Sequence, residues 1–278
     1  MSERDAMRRR RLYPLCMALA CALLASGAFA AKAAAGDQIE RGKYLTRAGD
    51  CASCHTAIGG QPFAGGRAIA TPFGVIYSSN ITPDKDTGIG NWSEAQFYAA
   101  LHSGVDDENH HLYPAMPYPS YTKVTRADID AIRAYLASVA PVKLADKPTQ
   151  LPWPMSWRGS MAAWNLLYFH AGDYQPDPSQ SAQWNRGAYL AQGLAHCGAC
   201  HTPRNAIGAS KTAEHFLGGD AGLHWYAPSL GDNLRDGVGG WSKAEIAEYL
   251  KTGANSKSAS AGPMTEVVMN STKYLTDA

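Results

Sequence analysis

The sequence predicts an all-α protein of two tandem units joined by a Pro-rich linker that carries one helix. Three observations predict it. First, a set of short motifs occurs twice in the same order. Glu40-Arg41-Gly42-Lys43-Tyr44-Leu45 returns 145 residues later as Asn185-Arg186-Gly187-Ala188-Tyr189-Leu190, and Cys51-Ala52-Ser53-Cys54-His55 returns 146 later as Cys197-Gly198-Ala199-Cys200-His201. Tyr77-Ser78-Ser79-Asn80-Ile81 aligns with Tyr226-Ala227-Pro228-Ser229-Leu230, and Trp92-Ser93-Glu94-Ala95 with Trp241-Ser242-Lys243-Ala244, both at 149 residues. Second, apolar residues near these motifs fall at helical spacing. Third, no strand-like alternation of any length is present.

The chain opens with a basic block, Arg8 to Arg11, an apolar run from Leu12 to Leu24, and the small-x-small site Ala28-Phe29-Ala30. That is the pattern of a secretory signal peptide over residues 1–30, and it implies a periplasmic location. Cys16 and Cys21 leave with it, so the four remaining cysteines all lie in the two repeated Cys-x-x-Cys-His motifs. The rest of the chain carries 20 basic against 22 acidic residues. A formal charge near −2 argues against nucleic acid as a partner.

The first unit spans 37–140. Ile39, Lys43, Tyr44 and Ala48 share one face of an opening helix. Ser93 is an N-cap for a middle helix that stops at Gly104. Thr125 with Asp128 reads as a capping box for a third helix, whose apolar face is Ile129, Ile132, Tyr135 and Leu136. The linker, 141–182, is punctuated by Pro148, Pro152, Pro154, Pro176 and Pro178. Its apolar stretch Met161 to Phe169 is expected to be a helix wedged between the units. The second unit, 183–278, repeats the opening helix through Tyr189, Leu190 and Leu194, and the middle helix from Ser242 to Gly253. Thr272 to Ala278 matches Thr122 to Asp128, so the sequence stops where the third helix is due. The expectation is a C-terminally truncated chain whose second domain is less stable than its first.

Cys-x-x-Cys-His is the attachment pattern for c-type haem: each thiol bonds one porphyrin vinyl group, and the adjacent imidazole reaches the iron. Two copies imply two covalently bound haem c groups, held by Cys51 and Cys54 and by Cys197 and Cys200, with His55 and His201 as axial ligands. For the sixth position, Met116 lies 61 residues after His55 and Met264 lies 63 after His201. Both follow the middle-helix Trp-Ser pair by similar distances, 24 and 23 residues. A matched methionine in two repeats is read as the ligand. His110 and His111 have no counterpart in the second unit and read as solvated loop residues, and His196 has none in the first. An iron with both axial positions filled offers a substrate no open site, so no residue is expected to be catalytic.

The sequence resembles the multihaem cytochrome c subunits of bacterial membrane-bound dehydrogenases for alcohols, aldehydes and sugar acids such as gluconate. The resemblance covers nearly all of 37–278. It rests on Arg-Gly-x-Tyr-Leu before each haem motif, Asn80-Ile81-Thr82-Pro83-Asp84, both Trp-Ser pairs, Ala115-Met116-Pro117, Gly262 to Val268, and Trp164-Asn165-Leu166-Leu167 followed by Gln175-Pro176-Asp177-Pro178. It implies two class I cytochrome c domains with His/Met ligation. It also implies an electron-transfer subunit, with no enzyme activity of its own, in a complex of the gluconate 2-dehydrogenase or alcohol dehydrogenase type. Its donor would be a catalytic subunit with a flavin or quinone cofactor, and its acceptor a quinone or a membrane oxidase. Family members typically have a third haem domain and a membrane-associating segment. A dihaem cytochrome c peroxidase is the enzymatic alternative, and a soluble electron shuttle the other. A peroxidase needs one five-coordinate iron, which the paired Met116 and Met264 oppose.

Overall fold

The computed structural model describes residues 35–222 and 225–277, and the signal-peptide expectation for 1–30 lies outside them. Helix α1 (35–48) and α5 (Arg126–Ser138) cross at Gly42. A Cβ there would sit 1.9 Å from the Ala131 carbonyl oxygen, so the missing side chain is what lets the two backbones meet. Leu45 and Ala48 of α1 bury against Ile129 and Ile132 of α5. Helix α3 (Glu94–His102), which packs on α5, starts on a complete capping box, Ser93 with Gln96, and adds Phe97, Ala100 and Leu101 to the same core. After the cap, Gly104 takes a left-handed φ of 65° with the Tyr118 ring packed beside it.

The capping box expected at Thr125 is only half formed. Thr125 Oγ1 accepts the Asp128 N–H at 3.3 Å, but the Asp128 carboxylate does not return to Thr125. It is buried and takes donors from Arg41 of α1 and from Tyr189 of the second unit instead. Tyr189 and Leu194 belong to the same buried cluster as Leu45 and Ile129, so the first helix of the second unit shares the first unit's core.

That helix, α7 (Ala182–Tyr189), runs straight into a π-helical turn, Leu190–Leu194. The π turn absorbs one extra residue: the repeat offset is 145 before it and 146 after it. The second unit continues through α8 (Gly198–His201), α9 (Thr212–His215) and α10 (Lys243–Thr252) to α11 (Pro263–Asn270). Helix α10 has its own capping box, Ser242 with Glu245, and ends on Gly253 at φ 83°. Unlike α3, it buries no residue. Helix α11 and the 3₁₀ turn Thr272–Tyr274 fold back onto the first unit. Ser271 reaches the Ala48 carbonyl at 3.3 Å, Arg47 lies 4.2 Å over the Tyr274 ring, and Arg67 pairs with Glu266 at 2.7 Å.

The structure is mostly helical, with one departure from the all-α expectation. Two antiparallel hairpins are present, β1 (Ala68–Thr71) with β2 (Gly74–Tyr77), and β3 (Asp220–Gly222) with β4 (Trp225–Ala227). Strands of three or four residues are too short to show a two-residue period, and β1, β2 and β4 have no fully buried face. Gln150 of the linker extends the first hairpin by pairing with Val75. The linker helix α6 (Gly159–Tyr168) buries Met161 and Trp164 in one cluster with Tyr113 and Tyr118 of the first unit and Ala209 of the second, and Trp164 Nε1–H donates to the Ile207 carbonyl at 3.1 Å. Its opposite face leaves Leu166 84 % exposed. Among the described residues no helix is long and apolar enough to cross a membrane.

Candidate haem sites

The first motif forms the short helix α2 (Cys51–His55). It starts from Asp50 in a left-handed conformation, φ 51°, with the Ser53 hydroxyl donating to its carboxylate at 2.6 Å. Burial pushes the Asp50 carboxyl up to about 7. It also pushes the Cys51 thiol to about 12 and the Cys54 thiol to about 11. A redox-active Cys-x-x-Cys pair shows the reverse, a lowered thiol. His55 Nδ1 donates to the Ser79 carbonyl at 2.8 Å, since a carbonyl oxygen only accepts. Nε2 is thereby left with its lone pair free, the nitrogen that could take a ligand. Burial lowers the His55 pKa, which keeps the ring neutral as a ligand must be.

Ser79 belongs to a strap that follows β2 and is tied down by Asn80. The Asn80 amide donates to the Val142 carbonyl at 2.7 Å, and its Oδ1 accepts the Thr82 N–H at 2.9 Å and hydroxyl at 2.7 Å. The second motif repeats the arrangement more loosely. His201 Nδ1 donates to the Pro228 carbonyl at 2.7 Å, again just after a hairpin, with Ser229 where the first unit has Asn80. Burial raises the Cys197 thiol to about 11. His196 takes the place of Asp50, and its φ of 39° matches that residue's left-handed backbone.

The methionines are placed differently in the two units. Met116 lies in the turn before α4 (Tyr118–Tyr121) and borders the core cluster that Cys51 and Ala52 also border. The linker clasps this turn: Tyr113 donates to the Met155 carbonyl at 2.8 Å and Tyr118 to Asn165 Oδ1 at 2.5 Å. Met264 is not in a loop. It sits in the first turn of α11, behind Gly262, whose α-carbon lies against the Trp225 ring of the hairpin that leads to Pro228. Of the rival histidines, His110 is exposed beside Asp106 and Glu108. His111 corrects its solvated reading: it is half-buried, its Nδ1 accepts from the Asn165 amide at 3.1 Å, and its carbonyl accepts from Arg158 at 2.7 Å. Spacing gives no warning of this, because the partners come from the linker.

The donor set fits haem c. Each motif offers two unpaired thiols and one imidazole whose Nδ1 is already committed. It does not fit a zinc site, since among the described residues no group of three His, Cys, Asp or Glu gathers to hold an ion. The two motifs are also neighbours. His196 Nε2 donates to the Gly49 carbonyl at 3.3 Å, and Asn270 of α11 donates to Ser53 at 2.9 Å. Pattern alone gives His196 no role, because its contact lies 147 residues away.

Residues 39–140 match the Cytochrome c domain family. The chain is 43 % identical to the gluconate 2-dehydrogenase cytochrome c subunit of Pantoea cypripedii, over 94 % of this chain and 61 % of that protein. It is 44 % identical to the fructose dehydrogenase cytochrome subunit of Gluconobacter japonicus, over 86 % of this chain and 50 % of the relative. It is 36 % identical to a diheme cytochrome c-type protein of Cereibacter sphaeroides, over 86 % of this chain and 81 % of the relative. The chain thus spans less than two thirds of the length of the two dehydrogenase relatives.

Proposed function

Because the chain belongs to the c-type cytochrome family that includes the gluconate dehydrogenase cytochrome subunit and the dihaem protein just described, we propose that it is an exported electron-transfer subunit made of two tandem cytochrome c domains. In this reading it works in the periplasm and holds two haem c groups, on Cys51, Cys54 and His55 and on Cys197, Cys200 and His201. Its donor is a dehydrogenase catalytic subunit with a flavin or quinone cofactor, oxidising an alcohol, aldehyde or sugar acid. Its acceptor is a quinone or a membrane oxidase.

The observation that carries the reading is the matched pair of His–carbonyl bonds, His55 to Ser79 and His201 to Pro228. They present one neutral imidazole nitrogen in each unit beside two thiols. Bound haem c supplies a one-electron iron couple. The chain's own residues would attach it through the thiols of Cys51, Cys54, Cys197 and Cys200 and would hold its iron through His55 and His201, with Met116 and Met264 as the further ligands. The Gly49–His196 contact joins the turns that lead into the two attachment helices, and Ser53–Asn270 docks α11 on the first of them, which suits passage of electrons within one chain.

The test is carbon monoxide added to the reduced, fully haem-loaded protein without denaturant. The expected result is no binding. Binding at one haem overturns the pure electron-transfer reading in favour of the dihaem peroxidase.

A further inference from the structure

We propose that Asp146 is a positioning residue that tunes haem one through a single peptide group. The proposal rests on the reading of His55 as that haem's axial ligand. Asp146 Oδ1 accepts the backbone N–H of Asn80 at 2.8 Å. The carbonyl at the other end of the same peptide bond belongs to Ser79, and it accepts His55 Nδ1–H at 2.8 Å. A carboxylate, one delocalised amide and the imidazole therefore stand in line.

Hydrogen bonds in series polarise one another. The carboxylate draws the Asn80 N–H proton towards itself and places more negative charge on the Ser79 oxygen. That oxygen becomes a stronger acceptor for the imidazole proton, so the ring gains anionic character and donates more strongly at Nε2. A stronger donor favours ferric over ferrous iron, which lowers the potential. The peptide is not free to turn away. Asn80 anchors it through Val142 and Thr82, and Thr82 Oγ1 accepts the Val142 N–H at 3.1 Å, closing the strap onto the segment that carries Asp146.

The neighbouring lysines are engaged elsewhere. Lys143 pairs with Asp86 at 2.7 Å, and Lys147 lies 5.5 Å over the Tyr77 ring. The second unit has the His201–Pro228 bond, but among the described residues no carboxylate accepts from the Ser229 N–H that completes that peptide. The arrangement distinguishes the two haems within one chain.

The test uses the full chain with both haems attached and compares it with Asp146→Asn, which keeps an oxygen acceptor and removes the charge. Two quantities are read: each haem's midpoint potential, and the chemical shift of the His55 Nδ1 proton in the reduced state. The expected result is a rise in haem one's midpoint that persists in high salt, haem two unchanged, and an upfield move of the His55 proton. Asp146→Glu should restore both. An unchanged midpoint overturns the proposal. So does a rise that disappears in high salt with the His55 proton unmoved, since that is the signature of an unbonded surface charge. Haem attached at Cys51 and Cys54 without His55 on the iron would instead sink the ligand assignment beneath it, and the absorption and magnetic spectra separate that case.

Discussion

Tyr189 donates its hydroxyl to the buried carboxylate of Asp128 at 2.6 Å, joining the first helix of the second unit to the last helix of the first. The Thr125 N–H donates to the same hydroxyl at 3.2 Å, and Arg41 holds the other carboxylate oxygen. Burial raises the tyrosine to about 12, so it remains a donor at any physiological pH. Losing the hydroxyl in Tyr189→Phe leaves the carboxylate with one fewer donor and should cost about 2 kcal/mol. Asp128→Ala strands both donors and should cost roughly 2–3 kcal/mol, because half-exposed Arg41 recovers some solvation. The double variant should lose less than the two singles together, as measured by denaturant unfolding of the haem-loaded protein. Additive losses would break the proposed coupling.

Gly42 and Gly187 occupy the same place in the repeated Arg-Gly-x-Tyr-Leu motif but different surroundings. A Cβ on Gly42 meets the Ala131 carbonyl oxygen at 1.9 Å and the Tyr135 Cβ at 2.9 Å, whereas one on Gly187 meets nothing within 4 Å. Gly42→Ala must force α1 and α5 apart, which should cost roughly 1–3 kcal/mol or more. Gly187→Ala should gain up to about 1 kcal/mol from helix propensity alone. Thermal melts of the two variants should therefore move in opposite directions.

Much of this arrangement is legible in the sequence because it is local. The Ser93 and Ser242 caps, the stops at Gly104 and Gly253, and the helical faces around Tyr44 and Ile132 follow from neighbours within a turn or two. The contacts that are not legible are long-range. Asp128 reads as a cap because Glu or Asp at that spacing usually is one. Tertiary partners 61 and 87 residues away claim its carboxylate instead. The π turn shows in the sequence only as a one-residue change of offset. The hairpins are too short to carry a period, and the carbonyls of Ser79 and Pro228 leave no trace in side-chain pattern because they are backbone groups.

Asp50 gives the fold a pH dependence of definite sign. Its carboxyl is raised by burial, then lowered in part by the Ser53 hydroxyl, and comes to about 7 against an ordinary value of 3.8. An acid raised in this way binds more protons folded than unfolded between those two values. Stability should accordingly be greatest below about pH 4 on this group's account, and fall as the pH rises towards 7. Asp50→Asn, which keeps the Ser53 contact without the charge, should flatten that part of the profile. Urea midpoints of the two proteins between pH 4 and 7 would check it, and parallel profiles would remove Asp50 as the source.

Met116 and Met264 differ in how firmly they are held, and the consequences of losing them should differ too. Met116 sits in a turn clasped by Tyr113 and Tyr118 through the linker residues Met155 and Asn165. Met264 rides on α11, which is fixed from outside its own unit by Arg67–Glu266 and Ser53–Asn270. With either thioether as the sixth ligand, replacement by Ala should lower one haem's potential by on the order of a tenth of a volt, within the ~0.8 V span that axial ligands command. The same haem should then bind carbon monoxide while the other does not. Glu266→Gln should loosen only the Met264 site, making its ligation more sensitive to heat and leaving the Met116 site unmoved. Redox titration and thermal loss of the ligation spectrum would read the two sites separately. An unchanged potential in Met116→Ala or Met264→Ala would remove that residue from the iron.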